Sequence, residues 1–175
     1  MIFLSSFVRA RLYAERGVPI YSVARWRPAW THAQEWSDLP FLAAADRSGA
    51  PIRLRDHAAP ISGYCATYGA ALAVRWAEVG PWLASLDHGA HAVLACWCPY
   101  SSAGRRQIAA FGTFFCHTVL IGELIRAARP DVPVRPDKDR RERGWACAEP
   151  WWRADLAALV GGGVNTRGAY ASERA

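Results

Sequence analysis

Residues 91–98 read HAVLACWC, a short apolar run that is typical of a buried central strand. After a connecting stretch, residues 116–129 read CHTVLIGELIRAAR and have the apolar spacing of a helix. The predicted inner face of that helix carries four aliphatic side chains: Val119, Leu120, Leu124 and Ile125. These residues therefore predict a buried strand that is followed by an amphipathic helix.

The N-terminal part of the chain repeats this alternation. Residues 1–7 (MIFLSSF) form an apolar run that predicts a buried strand, and residues 10–17 (ARLYAERG) predict a brief helix that ends at a glycine. Residues 18–26 (VPIYSVARW) are rich in β-branched and aromatic side chains and predict a second strand. Near the other end, residues 131–134 (DVPV) predict a short strand, which Pro133 restricts to an edge of the sheet.

The alternation of strands and helices predicts one α/β domain over residues 1–160, with a mostly parallel sheet flanked by helices. Residues 136–144 predict a charged surface turn, and residues 151–160 predict a last amphipathic helix. Residues 161–175 have the glycine and polar content of a flexible tail. In such a domain, ligands bind beyond the carboxyl ends of the strands.

The middle of the chain divides into an irregular part and a helical part. Residues 27–60 carry four prolines among several aromatic residues, and this density of prolines interrupts helices and central strands. We expect a long irregular insertion, rich in aromatic residues and proline, that folds over the core or over a site. Residues 62–86 predict a helix, and Pro81 is expected to start a second one. The helical face is marked by four residues at every fourth position: Tyr64, Tyr68, Leu72 and Trp76.

The composition is that of a globular protein, since 52% of the 175 residues are hydrophobic and 21% are charged. No apolar run reaches the roughly 20 residues that cross a bilayer. The N-terminal residues lack the basic start and the cleavage site of a secretory signal. We therefore expect a cytoplasmic protein with no membrane partner, and the odd count of five cysteines fits reduced thiols.

The net charge of +6 would suit a nucleotide or nucleic acid as partner. Almost all of the basic residues are arginines, because Lys138 is the only lysine. The guanidinium group offers a planar fork of donors that matches phosphate. An ordinary solvated surface would give the same balance of charge, so the charge alone indicates no site.

Three cysteines and one histidine lie at the two ends of the stretch that joins the central strand to the following helix. Cys96 and Cys98 end the strand, where alternate residues point to the same side. Cys116 and His117 begin the helix, whose N-terminus lowers the pKa of a thiol and attracts anions. We expect the two pairs to meet at the carboxyl edge of the sheet, with Cys116 as a thiolate.

The same four side chains would form a Cys3His zinc site. Their spacing differs from that of zinc ribbons and fingers, in which about two to four residues separate paired ligands. Adjacent residues on a helix also diverge by about 100 degrees, which separates Cys116 from His117. A zinc site at Cys96, Cys98, Cys116 and His117 remains an alternative, as does simple burial of Cys96 in the core. No other cofactor is expected.

Arginines lie near the same predicted edge. Arg105 and Arg106 lie in the connecting stretch among serines and phenylalanines, which is typical of a phosphate or nucleobase contact surface or, alternatively, of a solvated loop. Ser22, Arg25 and Arg27 end the second predicted strand. The chain has no GxGxxG motif, no phosphate loop with lysine and no recognisable serine, histidine and acid spacing, which disfavours dinucleotide, nucleoside triphosphate and triad sites.

Three blocks of the sequence, the first made of two stretches joined by a loop, resemble a known pattern. Residues 94–98 (LACWC) end a strand in cysteine, and residues 116–125 (CHTVLIGELI) start a helix with cysteine and histidine. Residues 22–30 (SVARWRPAW) and 64–72 (YCATYGAAL) provide a strand end with serine and proline and a helix with tyrosines. Together they resemble the bacterial family called domain of unknown function 488, in which a cysteine-ended strand precedes a Cys-His-Arg helix start.

This resemblance implies a set of site positions: Arg25, Pro28, Tyr64, Tyr68, Cys96, Cys116 and His117. The chain departs from the family pattern at Thr118, where the family has an arginine, and in a longer loop before the helix. Arg105 or Arg106 would then have to supply the phosphate contact of that arginine.

Three hypotheses of function follow. The first is a small α/β enzyme, such as a hydrolase or glycosidase, that acts on a nucleotide, a nucleoside or a modified base in nucleic acid. In it Cys116 is a nucleophile or anion-site residue, His117 an acid or base, and Cys96 a neighbouring thiol. Its substrate contacts come from five residues: Arg25, Tyr64, Tyr68, Arg105 and Arg106.

The second hypothesis is a non-catalytic nucleic-acid-binding module with a structural cysteine cluster, with zinc as its candidate metal. The third is a protein-interaction module that uses an exposed aromatic segment at residues 26–41.

Overall fold

The computed structural model describes five parts of the chain: residues 1–32, 34–46, 48–53, 60–97 and 116–136. Several sequence predictions lie outside the described residues: the position of Cys98, the loop residues Arg105 and Arg106, nearly all of the charged turn at 136–144, the helix at 151–160 and the tail at 161–175.

Five strands of the described residues form one sheet, in which every neighbouring pair is parallel. The strands are β1 (Ile2–Ser6), β2 (Ile20–Ser22), β3 (Ser37–Asp38), β4 (Ala92–Cys96) and β5 (Val134–Pro136). Their order is β3-β2-β4-β1-β5, so the apolar strand β4 lies at the centre and is buried along its whole length. The predicted α/β class with a mostly parallel sheet is therefore confirmed.

Helices cover both faces of this sheet. They are α1 (Phe7–Ala14), α2 (Pro60–Val74), α3 (Trp76–Ser85) and α4 (His117–Ala128). On one face, Phe7 and Ala10 of α1 pack against Ala95. On the other face, the remaining three helices pack on a cluster that includes Leu94 and Cys96. None of the helices in the described part of the chain is long and apolar enough to cross a bilayer.

The first helix begins earlier than its sequence pattern predicts. The hydroxyl of Ser6 accepts a hydrogen bond from the backbone N–H of Arg9 at 3.4 Å, so Ser6 caps the helix and α1 starts at Phe7 instead of at residue 10. The predicted glycine turn follows, since Gly17 has a φ of +70°. The second strand is shorter than the predicted 18–26, because the chain leaves the sheet just after Val23 donates its N–H to the carbonyl of Ala95 at 3.0 Å.

The helical region breaks at Arg75 and not at the expected proline. The backbone of Arg75 leaves the helical conformation, with φ −96° and ψ 15°, and its carbonyl accepts the first hydrogen bonds of α3 from Glu78 and Val79. The guanidinium of Arg75 donates to carbonyls of the preceding irregular segment, at 3.0 Å for Ala43 and 2.5 Å for Ala45. The prediction that Pro81 starts the second helix is wrong, because Pro81 lies inside α3.

Part of the predicted irregular segment is regular. Two short 3-10 helices, Ala29–Thr31 and Pro40–Leu42, flank β3. No residue pattern predicts β3, because both of its residues are exposed and polar and pair with β2 through the backbone. Arg27 holds this region through Asp38, at 3.2 Å, and through the carbonyl of Trp36, at 2.6 Å. Residues 54–59 lie outside the described residues, so a single long insertion stays a prediction.

The described helices that follow two neighbouring strands, β1 and β4, pack on opposite faces of the sheet. Ser6 of β1 lies opposite Cys96 of β4 in the parallel register. The chain leaves β1 towards the face that carries α1, whereas the next described helix after β4, α4, lies on the opposite face. Open parallel sheets bind their ligands where two neighbouring strands send the chain to opposite faces. This geometry places Cys96 at the point where a ligand site is expected.

The contacts of Arg75 predict a large effect on stability. Replacing Arg75 with Met leaves the carbonyls of Phe41, Ala43, Ala45 and Asp46 without their charged donor, so we expect the free energy of unfolding to fall by about 2 to 4 kcal/mol. Urea unfolding measures this change. The control Arg16→Met, at an exposed position after α1, should change stability by less than about 0.5 kcal/mol. Equal effects of the two substitutions would contradict the assignment.

Candidate thiol and imidazole site

Three of the predicted site residues come together at the carboxyl edge of the sheet. Cys96 is the last residue of β4, Cys116 is the N-cap of α4, and His117 is the first residue of that helix. All three side chains are buried, with exposed fractions of 0% for Cys96, 2% for Cys116 and 6% for His117. Their ligand atoms all lie within 4.8 Å of one another.

Cys116 lies at the centre of this group. Its Sγ is 3.2 Å from the Sγ of Cys96 and 3.8 Å from Nδ1 of His117. The hydroxyl of Thr118 donates a hydrogen bond to the same sulfur at 3.2 Å. Two thiols at this distance cannot both be ionised without strong repulsion, so the pair can carry at most one negative charge. Because Cys116 has the hydroxyl donor and the helix N-terminus, it is the thiol that holds this charge better.

The orientation of the His117 imidazole is set by the contact of its Nε2 atom. Nε2 of His117 lies 2.9 Å from the carbonyl oxygen of Val23. A carbonyl oxygen can only accept a hydrogen bond. In a neutral ring the hydrogen is therefore assigned to Nε2, the nitrogen that faces the Val23 carbonyl. Nδ1 then carries the lone pair, and it is the nitrogen that lies towards the Cys116 sulfur. His117 is therefore positioned to take a proton from this thiol or to bind a metal ion beside it.

The two predicted tyrosines lie in the core next to the imidazole. Tyr68 is fully buried, its hydroxyl donates to the carbonyl of Leu42 at 2.7 Å, and its ring meets the ring of His117 edge-on at 5.9 Å. Burial raises the pKa of Tyr68, and the positive charge of Arg75 offsets only part of this effect. Tyr68 therefore stays neutral, and its hydroxyl remains a donor. Tyr64 is also buried, 6.2 Å from the Tyr68 ring. Their role as substrate contacts stays a prediction.

The predicted site residues at the end of the second strand lie partly on the surface and partly in the core. Arg25 is exposed, and its guanidinium lies 4.2 Å above the ring of Trp26. Pro28 is buried beside a short 3-10 helix, and Arg27 is bound to Asp38. Ser22 is fully buried, and its hydroxyl has no hydrogen-bond partner among the described residues. Arg25 is thus the member of this group whose charge faces solvent.

Two groups at the site were not predicted as members of it. The carbonyl of Val23 orients the imidazole, but a backbone oxygen has no residue signature in a sequence. Thr118 occupies the position where the resemblance implied an arginine, and its hydroxyl binds the cysteine instead of a phosphate. A hydroxyl residue two positions after an N-cap cysteine is the signal from which this contact could have been found.

The arrangement also suits a soft metal ion. Tetrahedral zinc binds sulfur at about 2.3 Å and nitrogen at about 2.0 Å, which places the ligand atoms roughly 3.5 to 3.8 Å apart. The observed distances of 3.2 Å between the sulfurs and 3.8 Å between the Cys116 sulfur and Nδ1 lie near these values, and the Cys96 sulfur and the His117 nitrogen lie within 4.8 Å of each other. Histidine ligands of metals usually donate their second N–H to a carbonyl or carboxylate, as Nε2 of His117 does. Three of the four predicted ligands therefore fit zinc, and Cys98 lies outside the described residues.

Comparison with known proteins adds no assignment to this geometry. The resemblance to domain of unknown function 488 stays a prediction that rests on the sequence blocks alone. No protein-family model, curated protein or solved structure matches the chain.

Proposed function

We propose that the protein is a thiol-dependent enzyme of a reducing compartment such as the cytoplasm, and that it acts on a nucleotide, a nucleoside or a base in nucleic acid. The observation that carries the proposal is the set of groups around the Cys116 sulfur: the Thr118 hydroxyl, the Cys96 thiol and Nδ1 of His117. A thiolate needs donors and a nearby base, and this arrangement supplies both.

The chemistry would be a displacement in two steps. Nδ1 of His117 takes the thiol proton of Cys116, and the sulfur forms a bond to the electrophilic carbon or phosphorus of the substrate while the bond to the leaving group breaks. His117 returns the proton to the leaving group. Water, deprotonated by Nδ1 of His117, then attacks the same carbon or phosphorus, the bond to sulfur breaks, and His117 returns the proton to the Cys116 sulfur. Throughout, the carbonyl of Val23 keeps Nε2 protonated, so the same nitrogen, Nδ1, exchanges the proton.

The substrate class is supported by the charge and by the surface beside the site. The chain has a net charge of +6, and Arg25 and the exposed Trp26 lie just beyond Val23. Guanidinium groups bind phosphate and indole rings stack on bases. Arg105 and Arg106, which lie outside the described residues, remain proposed phosphate contacts.

A second candidate is a non-catalytic nucleic-acid-binding module with a structural metal. Its specific support is the near-complete burial of Cys96, Cys116 and His117, which suits a closed structural site better than an open catalytic one. These three residues would hold a zinc ion, which would link the end of β4 to the start of α4. The third hypothesis, a protein-interaction module, is supported only by Trp26 and Trp30, since Trp36 and Leu39 of the same segment are buried.

The first candidate predicts turnover that depends on Cys116 and His117. The probes are a nucleoside, its 5′-monophosphate and single-stranded DNA and RNA oligonucleotides, with released base, phosphate or shorter oligonucleotide measured by chromatography. We expect Cys116→Ser and His117→Gln each to slow the reaction by about 100-fold or more, because each removes a reacting group. Cys65→Ser, a buried thiol of α2, is the matched control and should retain the rate. Full activity of the Cys116→Ser protein would refute the assignment.

The second candidate predicts a bound metal. Protein purified without chelator should contain about one zinc ion per chain, and Cys96→Ser, Cys116→Ser and His117→Gln should each lose most of it, whereas Cys65→Ser should not. Elemental analysis by mass spectrometry gives the ratio. Under this candidate, a chelator also lowers the melting temperature of the wild-type protein. A folded wild-type protein that contains no zinc and does not respond to chelator eliminates this candidate.

A further inference from the structure

Three tryptophans are exposed in the segments that follow β2 and β4. The exposed fractions are 64% for Trp26, 44% for Trp30 and 56% for Trp97, whereas Trp36 nearby is 7% exposed. Trp97 directly follows Cys96, and Trp26 follows Val23 by three residues, so two of the three continue the strand ends that hold the buried site. Exposing so much indole surface has a cost, which marks this region as a contact surface.

The rings are held in place although they are exposed. The indole N–H of Trp97 donates to the carbonyl of Trp26 at 2.7 Å, and the Trp97 ring packs edge-on against Phe7 at 5.6 Å. Trp30 packs edge-on against Trp36 at 6.1 Å, and Trp36 stacks on Phe7. The buried pair Phe7 and Trp36 therefore supports two of the exposed rings from below. Their orientation is fixed on folding, so a ligand does not have to order them.

Two arginines lie over these rings. The guanidinium carbon of Arg25 is 4.2 Å from the ring centre of Trp26, and that of Arg11 is 5.7 Å from the ring centre of Trp30. Both arginines are exposed, and no carboxylate of the described residues pairs with either. Arg27, two residues after Arg25, is paired with Asp38. The positive charge of this surface is therefore available to an anion.

We propose that this tryptophan surface, made of Trp26, Trp30 and Trp97 with Arg11 and Arg25, binds unpaired nucleic acid. The flat faces of unpaired bases stack on exposed indole rings. The phosphates of the same strand lie within one nucleotide of these bases, where arginines beside the rings can bind them. Double-stranded nucleic acid hides its base faces, so it is disfavoured. A neutral apolar partner would leave two unpaired charges at the interface. The net charge of +6 on the whole chain also favours a polyanionic partner.

This inference rests on the nucleic-acid branch of the proposed function and narrows its substrate to a single-stranded or locally unpaired strand. The surface and the buried thiols are separate groups, so they can fail independently. If the Cys116→Ser protein binds unpaired nucleic acid as tightly as the wild type does, the result supports the tryptophan surface, whether or not the thiols react. Turnover of a free nucleoside without strand binding would support the thiol site and reject the surface.

Fluorescence anisotropy with a labelled oligodeoxythymidylate of about 12 nucleotides tests the proposal, with the matching duplex as comparator. We expect the single strand to bind more tightly than the duplex and to quench tryptophan fluorescence. Trp26→Ala and Trp97→Ala should each weaken binding by about 5- to 100-fold, the range for the loss of one stacked base. The charge reversals Arg25→Glu and Arg11→Glu, at exposed positions, should weaken binding and reduce the slope of log affinity against log salt by about 1 or more each.

Val8 and Leu12 provide matched controls on the same side of the molecule. Both are exposed aliphatic residues of α1, at 63% and 50%, and they offer no ring face to a base. Val8→Ala and Leu12→Ala should change the affinity for the oligonucleotide by less than about 2-fold. If these two variants weakened binding as much as Trp26→Ala, or if single strand and duplex bound equally, base stacking would be refuted. Binding of the wild type to anionic vesicles but not to the oligonucleotide would replace the nucleic acid with a lipid surface.

Discussion

The hydrogen bond between His117 and the backbone of Val23 ties together the parts of the carboxyl edge. Val23 donates its N–H to Ala95 of the central strand at 3.0 Å and accepts from Nε2 of His117 at 2.9 Å. One residue therefore links the chain that leaves β2, the end of β4 and the start of α4. Because Val23 is fully buried, water does not compete for its carbonyl. The position of Nδ1 beside the two thiols depends on this link.

The same edge has a buried side and an exposed side that differ in chemistry. Beneath the strand ends, Cys96, Cys116 and His117 are packed against the core, with Tyr68 as a neutral neighbour. Beyond the strand ends, the tryptophans and arginines face solvent. Near-complete burial means that a reactant reaches Cys116 only when this edge opens, whereas a structural metal needs no such opening. Access to the sulfur is thus the physical property that separates the two candidate functions.

Much of this arrangement could be predicted from the sequence, and the rest could not for physical reasons. The apolar run of β4 and the periodic face of α4 predicted their positions, and the rule for parallel sheets predicted that Cys96 would meet Cys116 and His117. The two polar residues of β3 carry no strand signal, and the break at Arg75 depends on carbonyls about 30 residues away in the chain. The carbonyl of Val23 belongs to the backbone, so no residue type in the sequence indicates its contact with His117. Side-chain patterns predict what is buried, whereas these contacts are made by the backbone after the chain has folded.

The most direct test is the tautomer of His117 in solution. Nitrogen-15 NMR of the ring distinguishes a nitrogen that carries hydrogen from one that carries a lone pair. The geometry predicts hydrogen on Nε2, and a signal of Nδ1 that changes when Cys116 is replaced by serine while the signal of Nε2 does not. Both candidate functions require this result, since both use Nδ1. Hydrogen on Nδ1 with a lone pair on Nε2 would contradict the account of the site.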